Sequence, residues 1–272
     1  MRYLHLDAET IPTQSKKFPD AIAAEHVVSE AELAAVKADG RLKEENKAAD
    51  IVAKREALIA KAAEKANDAW RATALDGWRG HIATLAWAFD DEPVVSMPLV
   101  HAQQSDDSAW HVDVQGERAG LEQFLRTVAA GVAVPNSIVE HEVCIVGHRV
   151  RSFDALYIWQ RCIVLGVEVP NWLARLRFAP RYSTEWINDT NEMAGSTTGK
   201  PFAPSLDHVC AAIGIECKGD IDGSRVWDEI VSGRLNNVLA YNRNDVRRSR
   251  SIWRRMNGRP PLAIDTEGME AA

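Results

Sequence analysis

EVCIVGHRVRSFDALYIWQRCIVL, residues 142–165, is the stretch on which the fold turns. Its first part, Glu142–His148, is short and apolar and reads as a buried strand. Ser152–Leu165 then carries Leu156, Trp159 and Ile163 at three- and four-residue spacing, which places them on one side of a helix. Between the two, Gly147-His148-Arg149-Val150-Arg151-Ser152-Phe153 must turn the chain. Asp154 falls in the first turn of the helix, where a lone carboxylate ordinarily serves the helix dipole. Phe153 is available to wedge into the core.

Upstream, residues 3–7, YLHLD, alternate apolar and polar and predict a strand ending at Asp7. Thr10, Pro12 and Pro19 should break any regular element after it. His81–Phe89 and Val94–Val100 are β-prone runs joined by Asp90-Asp91-Glu92-Pro93, a hairpin signature. Glu117–Ala130 carries Leu121, Phe124, Leu125 and Val128 at helical spacing. From Ser29 to about Leu75 the chain turns rich in Ala, Glu and Lys and free of Pro. Ser29 with Glu32 suggests a capping box, Ile51, Ile59, Ala62, Ala66 and Trp70 recur helically, and Gly40 marks a joint. This predicts an inserted helical arm over 29–75, suited to a protein partner, to clamping substrate, or to mere decoration.

Downstream, Ser205–Ile213, Ser224–Ser232 and Leu235–Met256 predict helices, stopped by Asn257-Gly258-Arg259-Pro260-Pro261. Residues 261–272 are expected to be a disordered acidic tail. The order of elements gives an α/β domain over 1–260, with a central mixed sheet flanked by helices.

The 272 residues are 46% hydrophobic and 26% charged, as in ordinary globular proteins. No apolar run approaches the roughly 20 residues of a membrane helix, and MRYLHLDAETIP lacks the layout of a secretory signal. A cytoplasmic location with no membrane partner is expected. Cys144, Cys162, Cys210 and Cys217 show no zinc spacing and should be reduced and buried. The net charge of −7 excludes a surface coated in nucleic acid but not a local groove. Two basic clusters could form one: Arg243–Arg259, with seven arginines, and Arg175, Arg177 and Arg181.

Three carboxylate-bearing segments carry the chemistry. Asp7 and Glu9 are two apart in a strand and so point to one side, a start for binding a hard divalent cation. Asp154 opens its helix. Tyr241 and Asp245, four apart within LNNVLAYNRNDVRRSRSIWRRM, share one helix face.

In this order the segments resemble the DEDD superfamily of 3′–5′ exonucleases, in its branch with tyrosine in the third motif. LDAET is similar to the first motif, VGHRVRSFDALYIWQR to the second and LAYNRNDV to the third. WINDTNEMA, with Asp189-Thr190, resembles the Asp-Thr stretch between the second and third, and SLDHVCAAIGI the helix that follows it. The resemblance is greatest to stand-alone, family-B-polymerase-like exonucleases of phages and bacteria, and covers about Met1–Met256 apart from the arm. Arg149 departs from it, standing where Asn is common.

The resemblance implies a ribonuclease H-like exonuclease fold and two divalent cations, Mg2+ or Mn2+. Asp7 would bridge both ions, Glu9 and Asp245 would complete one site, and Asp154 would hold the other through water. Tyr241 would orient the attacking water or help to deprotonate it. The substrate implied is a single-stranded DNA 3′ end, with RNA possible, cut to nucleoside 5′-monophosphates. Thr10, Arg149, Arg151, Phe153, Arg243 and Arg248 are the candidate substrate contacts. Trp159, Trp186, Trp227 and Trp253 could stack on bases, though their apolar neighbours favour the core. A binding module built on the arm is the competing class; retention of four carboxylates and the tyrosine weighs against it. A ribonuclease H-like endonuclease would need a similar acidic cluster, but the Tyr-x-x-x-Asp helix favours the exonuclease.

Overall fold

The computed structural model describes residues 1–15, 17–104, 110–134, 137, 142–180, 183–195, 203–215 and 221–266. Strand β1 (Arg2–Ile11) leads into helices α1 (Lys17–Glu25), α2 (Glu30–Ala35) and α3 (Glu44–Ala72). Then come β2 (His81–Phe89), β3 (Val95–Pro98), β4 (His101–Gln104), β5 (Trp110–Asp113), α4 (Glu117–Val132) and β6 (Val143–Gly147). The chain continues through α5 (Asp154–Leu165), α6 (Asn171–Ala174), β7 (Ile187–Asp189), α7 (Thr190–Ala194) and α8 (Leu206–Ile213). It closes with α9 (Val226–Ile230), α10 (Leu235–Met256) and α11 (Ala263–Thr266).

The main sheet runs β3-β2-β1-β6-β7. β2 is antiparallel to β1 and β3, while β6 is parallel to β1 and β7. This is the central mixed sheet flanked by helices expected of the ribonuclease H-like exonuclease fold. Alternation along β1 sorts its two faces. Leu4, Leu6 and Ala8 join the main core with Leu121, Phe124 and Val128 of α4 and Tyr157 and Ile158 of α5. His5 and Asp7 face α10 instead, against Trp253 and Asn242. Ile11 meets Val238 of α10 in a second cluster.

β1 overshoots its parallel neighbour, and that overshoot creates the site. β1 pairs with β2 from Leu4 to Ile11, but with β6 only from Arg2 to His5. Gly147 ends β6, and a Cβ there would come within 2.7 Å of the Leu6 carbonyl oxygen, so the approach requires glycine. The strand expected to end at Asp7 therefore continues past Glu9, because β2 supplies its hydrogen bonds. A register shift follows between Glu9 and Thr10.

Other expectations change in physical detail. Pro19 does not block a helix: it lies in the first turn of α1, where the backbone N–H groups need no intrahelical partner. β4 and β5 form a separate two-stranded sheet that periodicity did not reveal. The Ser29–Glu32 capping box is present in full. α3 is fixed to the body at its C-terminal end, by the Arg71–Asp228 ion pair, the Trp70 indole donating to the Thr13 carbonyl, and Trp70 edge-on to Trp227.

Two corrections concern charge. Residues 261–272 do not simply trail away, because Ala263–Thr266 forms α11 and Asp265, fully buried, pairs with Arg250. Residues 267–272 lie outside the described residues. The arginines of α10 are largely turned inward rather than presented as a basic face. Arg248, Arg250 and Arg254 are buried, paired with Asp245, Asp265 and Asp91. An amphipathic helix laid across a sheet must bury one face, and here acidic partners make arginine tolerable on it.

Cys144, Cys162 and Cys210 are buried, as expected; Cys217 and Arg181 lie outside the described residues. Trp253 is buried and Trp159, Trp186 and Trp227 pack partly on the core clusters. Arg175 and Arg177 cover the rings of Trp186 and Trp159. Among the described residues no helix is long and apolar enough to cross a membrane.

Candidate active site

Strand β1 and helix α10 bring three carboxylates together. Ligand oxygens of Asp7, Glu9 and Asp245 all lie within 4.8 Å of one another. Asp7 and Glu9 share the α10 face of β1 because they are two apart. Asp245 arrives from the middle of α10, whose apolar side, with Val238 and Val246, fixes its rotation against the sheet. Asp154 stands beside this trio. It is buried, and its Oδ1 accepts the Ala8 backbone N–H at 2.9 Å. That amide lies where β1 has outrun β6, so the carboxylate takes the place of a missing strand.

Asp7 and Asp245 are held from behind. Asn242, fully buried, donates from Nδ2 to Asp7 and accepts from the Thr84 hydroxyl at 3.0 Å. Arg248 donates to Asp245 at 2.9 Å, and the Tyr241 hydroxyl also bonds to Asp245.

Burial and mutual repulsion shift every member of the group. Desolvation, then the charges of Asp154, Glu9 and Asp245, hold the Asp7 carboxyl well above the usual range. Glu9 is raised by burial and by Asp245 and Asp154. Burial pushes Asp154 up to about 7, against the opposing bond from Ala8. Asp245 rises to about 6 by burial, moderated by Arg248 and Tyr241. Burial, followed by the charges of Asp245, Glu9 and Asp7, raises the Tyr241 phenol far above its ordinary value.

The donor set fits a hard divalent ion. All three groups offer oxygen, and two oxygens on opposite sides of a magnesium ion lie about 4.2 Å apart, twice the ~2.1 Å bond. Among the described residues only Arg248 bonds directly to the group as a cation, leaving a surplus of negative charge.

The expected substrate contacts separate. Thr10 is buried, with its hydroxyl donated to the Ala74 carbonyl, and Arg248 faces Asp245 rather than solvent. Arg151 is engaged by Glu192 and by the Ala179 and Ser183 carbonyls. Arg243 donates to the Ser96 hydroxyl, and Phe153 packs against the core and the Tyr157 ring. Of these six, only Arg149 has an exposed side chain, on a backbone held at φ 63°. The residues that sequence reasoning missed are Asn242 and Thr84. Asn242 adjoins Tyr241, but nothing local shows that it turns toward Asp7.

A search of the curated proteins finds no match. In structure the chain is similar to the family B DNA polymerase from the hyperthermophilic archaeon Pyrobaculum calidifontis, with a TM-score of 0.46 and 15% identity. That likeness covers 98% of this chain and 27% of the polymerase, so the chain spans little more than a quarter of that protein's length. Residues 94–260, more than half of the chain, match the model of a family described as a predicted 3′–5′ exonuclease related to the exonuclease domain of PolB. The matched residues take in Asp154, Tyr241 and Asp245, while Asp7 and Glu9 precede them. The chain belongs to this family of predicted 3′–5′ exonucleases.

Proposed function

We propose that the protein is a metal-dependent 3′–5′ exonuclease that hydrolyses phosphodiester bonds at the 3′ end of single-stranded DNA and releases nucleoside 5′-monophosphates. The observation that carries this reading is the trio Asp7, Glu9 and Asp245, with oxygens within 4.8 Å of one another and too little positive charge around them. These three would hold one divalent ion. The separate position of Asp154 supports its assignment to a second, through water. Ions bound there would neutralise the charge that develops on the attacking and leaving oxygens.

The chain's own groups prepare the site. Asn242 fixes the rotamer of Asp7, and Arg248 fixes that of Asp245. Tyr241, whose hydroxyl bonds to Asp245 and whose phenol is raised by burial and by the charges of Asp245, Glu9 and Asp7, would orient the attacking water.

The test is digestion of a 5′-labelled single-stranded DNA and its RNA equivalent with manganese, magnesium or EDTA. A ladder shortening from the 3′ end, abolished by EDTA, is expected for the intact protein. Asp7→Ala should slow it by about 10³-fold, since a ligand worth ~4 kcal/mol of charge stabilisation is lost. Cleavage of RNA alone would move the assignment to an exoribonuclease, and no cleavage of either strand overturns the catalytic reading.

A further inference from the structure

The turn between β6 and α5 is tied to the next strand residue by residue. Asp189, the last residue of β7, is buried at 3% exposure and lies in register with Gly147. Its Oδ1 accepts the backbone N–H of Arg149 at 2.8 Å and of Asn191 at 3.0 Å, and its Oδ2 accepts that of Arg151 at 3.0 Å. The neighbours extend the seam. Thr190 donates its hydroxyl to the Gly147 carbonyl, and Glu192 pairs with the Arg151 side chain.

We propose that Asp189 is a positioning residue of the active site, acting through the turn 149–153 to hold Asp154 against β1 and to present Arg149. Arg149 adopts a left-handed backbone that side chains other than Gly, Asn and Asp seldom take. With its amide bonded to Asp189, that conformation is fixed from outside the turn. Ser152 and Phe153 both donate to the Arg149 carbonyl, and Ala155 donates to that of Val150. The first turn of α5 is thus built directly on the clamped residues. A shift at Arg149 is passed to Asp154, one residue after Phe153, and so to the bond between Asp154 and the Ala8 amide. At the same time Arg149 is left exposed to solvent, where its guanidinium is suited to a phosphate.

Two substitutions grade the clamp. Asp189→Asn keeps one carbonyl oxygen for Arg149 and Asn191 but turns an NH2 group toward the Arg151 amide, donor against donor. Asp189→Ala removes all three bonds. The implication for turnover rests on the exonuclease reading, whereas the implication for Ala8 does not.

The experiment measures both, on the full chain. Hydrogen exchange at the Ala8 amide, followed by NMR, should accelerate from wild type to Asp189→Asn to Asp189→Ala. With manganese and single-stranded DNA, kcat should fall about 10–100-fold in Asp189→Asn, the usual cost of an outer partner of a metal site, and further in Asp189→Ala. KM should rise by a smaller factor as Arg149 loosens. Val128→Ala, in the α4 core, is the control for lost stability and should leave kcat unchanged when assayed below its melting transition. Exchange at Ala8 at the wild-type rate in both variants would overturn the proposal. So would an unchanged kcat, or an equal loss of kcat in Val128→Ala. Faster exchange at Ala8 in a protein that cuts no strand would leave the clamp standing and remove the exonuclease reading instead.

Discussion

Glu117 on one side of the sheet and the carboxylates gathered around Asp7 behave in opposite ways. On the α4–α5 face, Glu117 is 1% exposed. Arg161 donates to both of its oxygens at 2.8 and 2.7 Å, and His81 Nδ1 and the Ile82 amide approach at 2.8 and 2.9 Å. Burial pushes its pKa up, but the bonds from His81, Arg161 and Ile82 more than reverse the effect, and the net shift is downward. Asp7, Glu9 and Asp245 on the α10 face, with Asp154 beside them at the start of α5, are also sheltered, yet all four are raised. Burial alone therefore does not mark function. A buried carboxylate supplied with cations and donors is part of the framework, and a group left short of positive charge is a place for a cation that the fold does not itself provide.

The contrast can be broken first at Glu117. Glu117→Gln leaves the Arg161 charge buried without its partner, which should cost about 3–5 kcal/mol of stability. Calorimetry should show the lower melting temperature, and nuclease activity per folded molecule should stay at the wild-type level. Equal loss of activity would erase the distinction between the two clusters.

Tyr241→Phe sharpens it from the other side. Removing one oriented hydroxyl should lower kcat by about 10–100-fold, ~1.4–2.7 kcal/mol, with little change in melting temperature. A full rate in the phenylalanine variant would remove Tyr241 from the mechanism.

The smallest effect has opposite signs in the two clusters. Asp245 at about 6 and Asp154 at about 7 titrate higher in the folded chain than in the unfolded one. Their contribution to stability is full below the unfolded range near ~4 and is lost as pH rises through those two values. Metal-free protein should thus lose stability between pH ~4 and ~7, while the lowered Glu117 contributes above its unfolded pKa and loses that contribution toward acid. Asp7→Asn removes one of the repelling charges and should stabilise the metal-free protein at neutral pH by on the order of 1 kcal/mol. Added magnesium or manganese should raise the melting temperature of the wild type more at pH 8 than at pH 5, because protons compete for the same oxygens. Equal shifts at both values would argue against binding at these carboxylates.

Much of this was legible residue by residue. The span of α10, Leu235–Met256, follows from its spacing and from the Asn257-Gly258 stop, and matches the structure at both ends. Hairpin β2–β3 and helices α4, α5 and α8 fall where their periodicity puts them, within a few residues. The end of β1 was not legible, because strand length is set by the neighbour that completes the hydrogen bonds, and β2 lies some 70 residues away. The arginines of α10 were misread for a related reason. Their sequence shows charge, but Asp265, Asp91 and Asp245 decide whether that charge faces water.

The sequence by itself determined which groups could do the chemistry, since two-residue spacing on a strand and four-residue spacing on a helix are local geometry. Asp7 with Glu9, and Tyr241 with Asp245, are paired by backbone periodicity alone. What only the tertiary structure decided is how these pairs meet and what stands behind them. β1 outruns β6, Asp154 caps the amide thus exposed, and Asn242, Thr84, Arg248 and Asp189 fix the carboxylates and the turn beside them. The physical reason is that hydrogen bonding, counter-charge and desolvation act through space between residues up to 235 positions apart, and no local pattern records them.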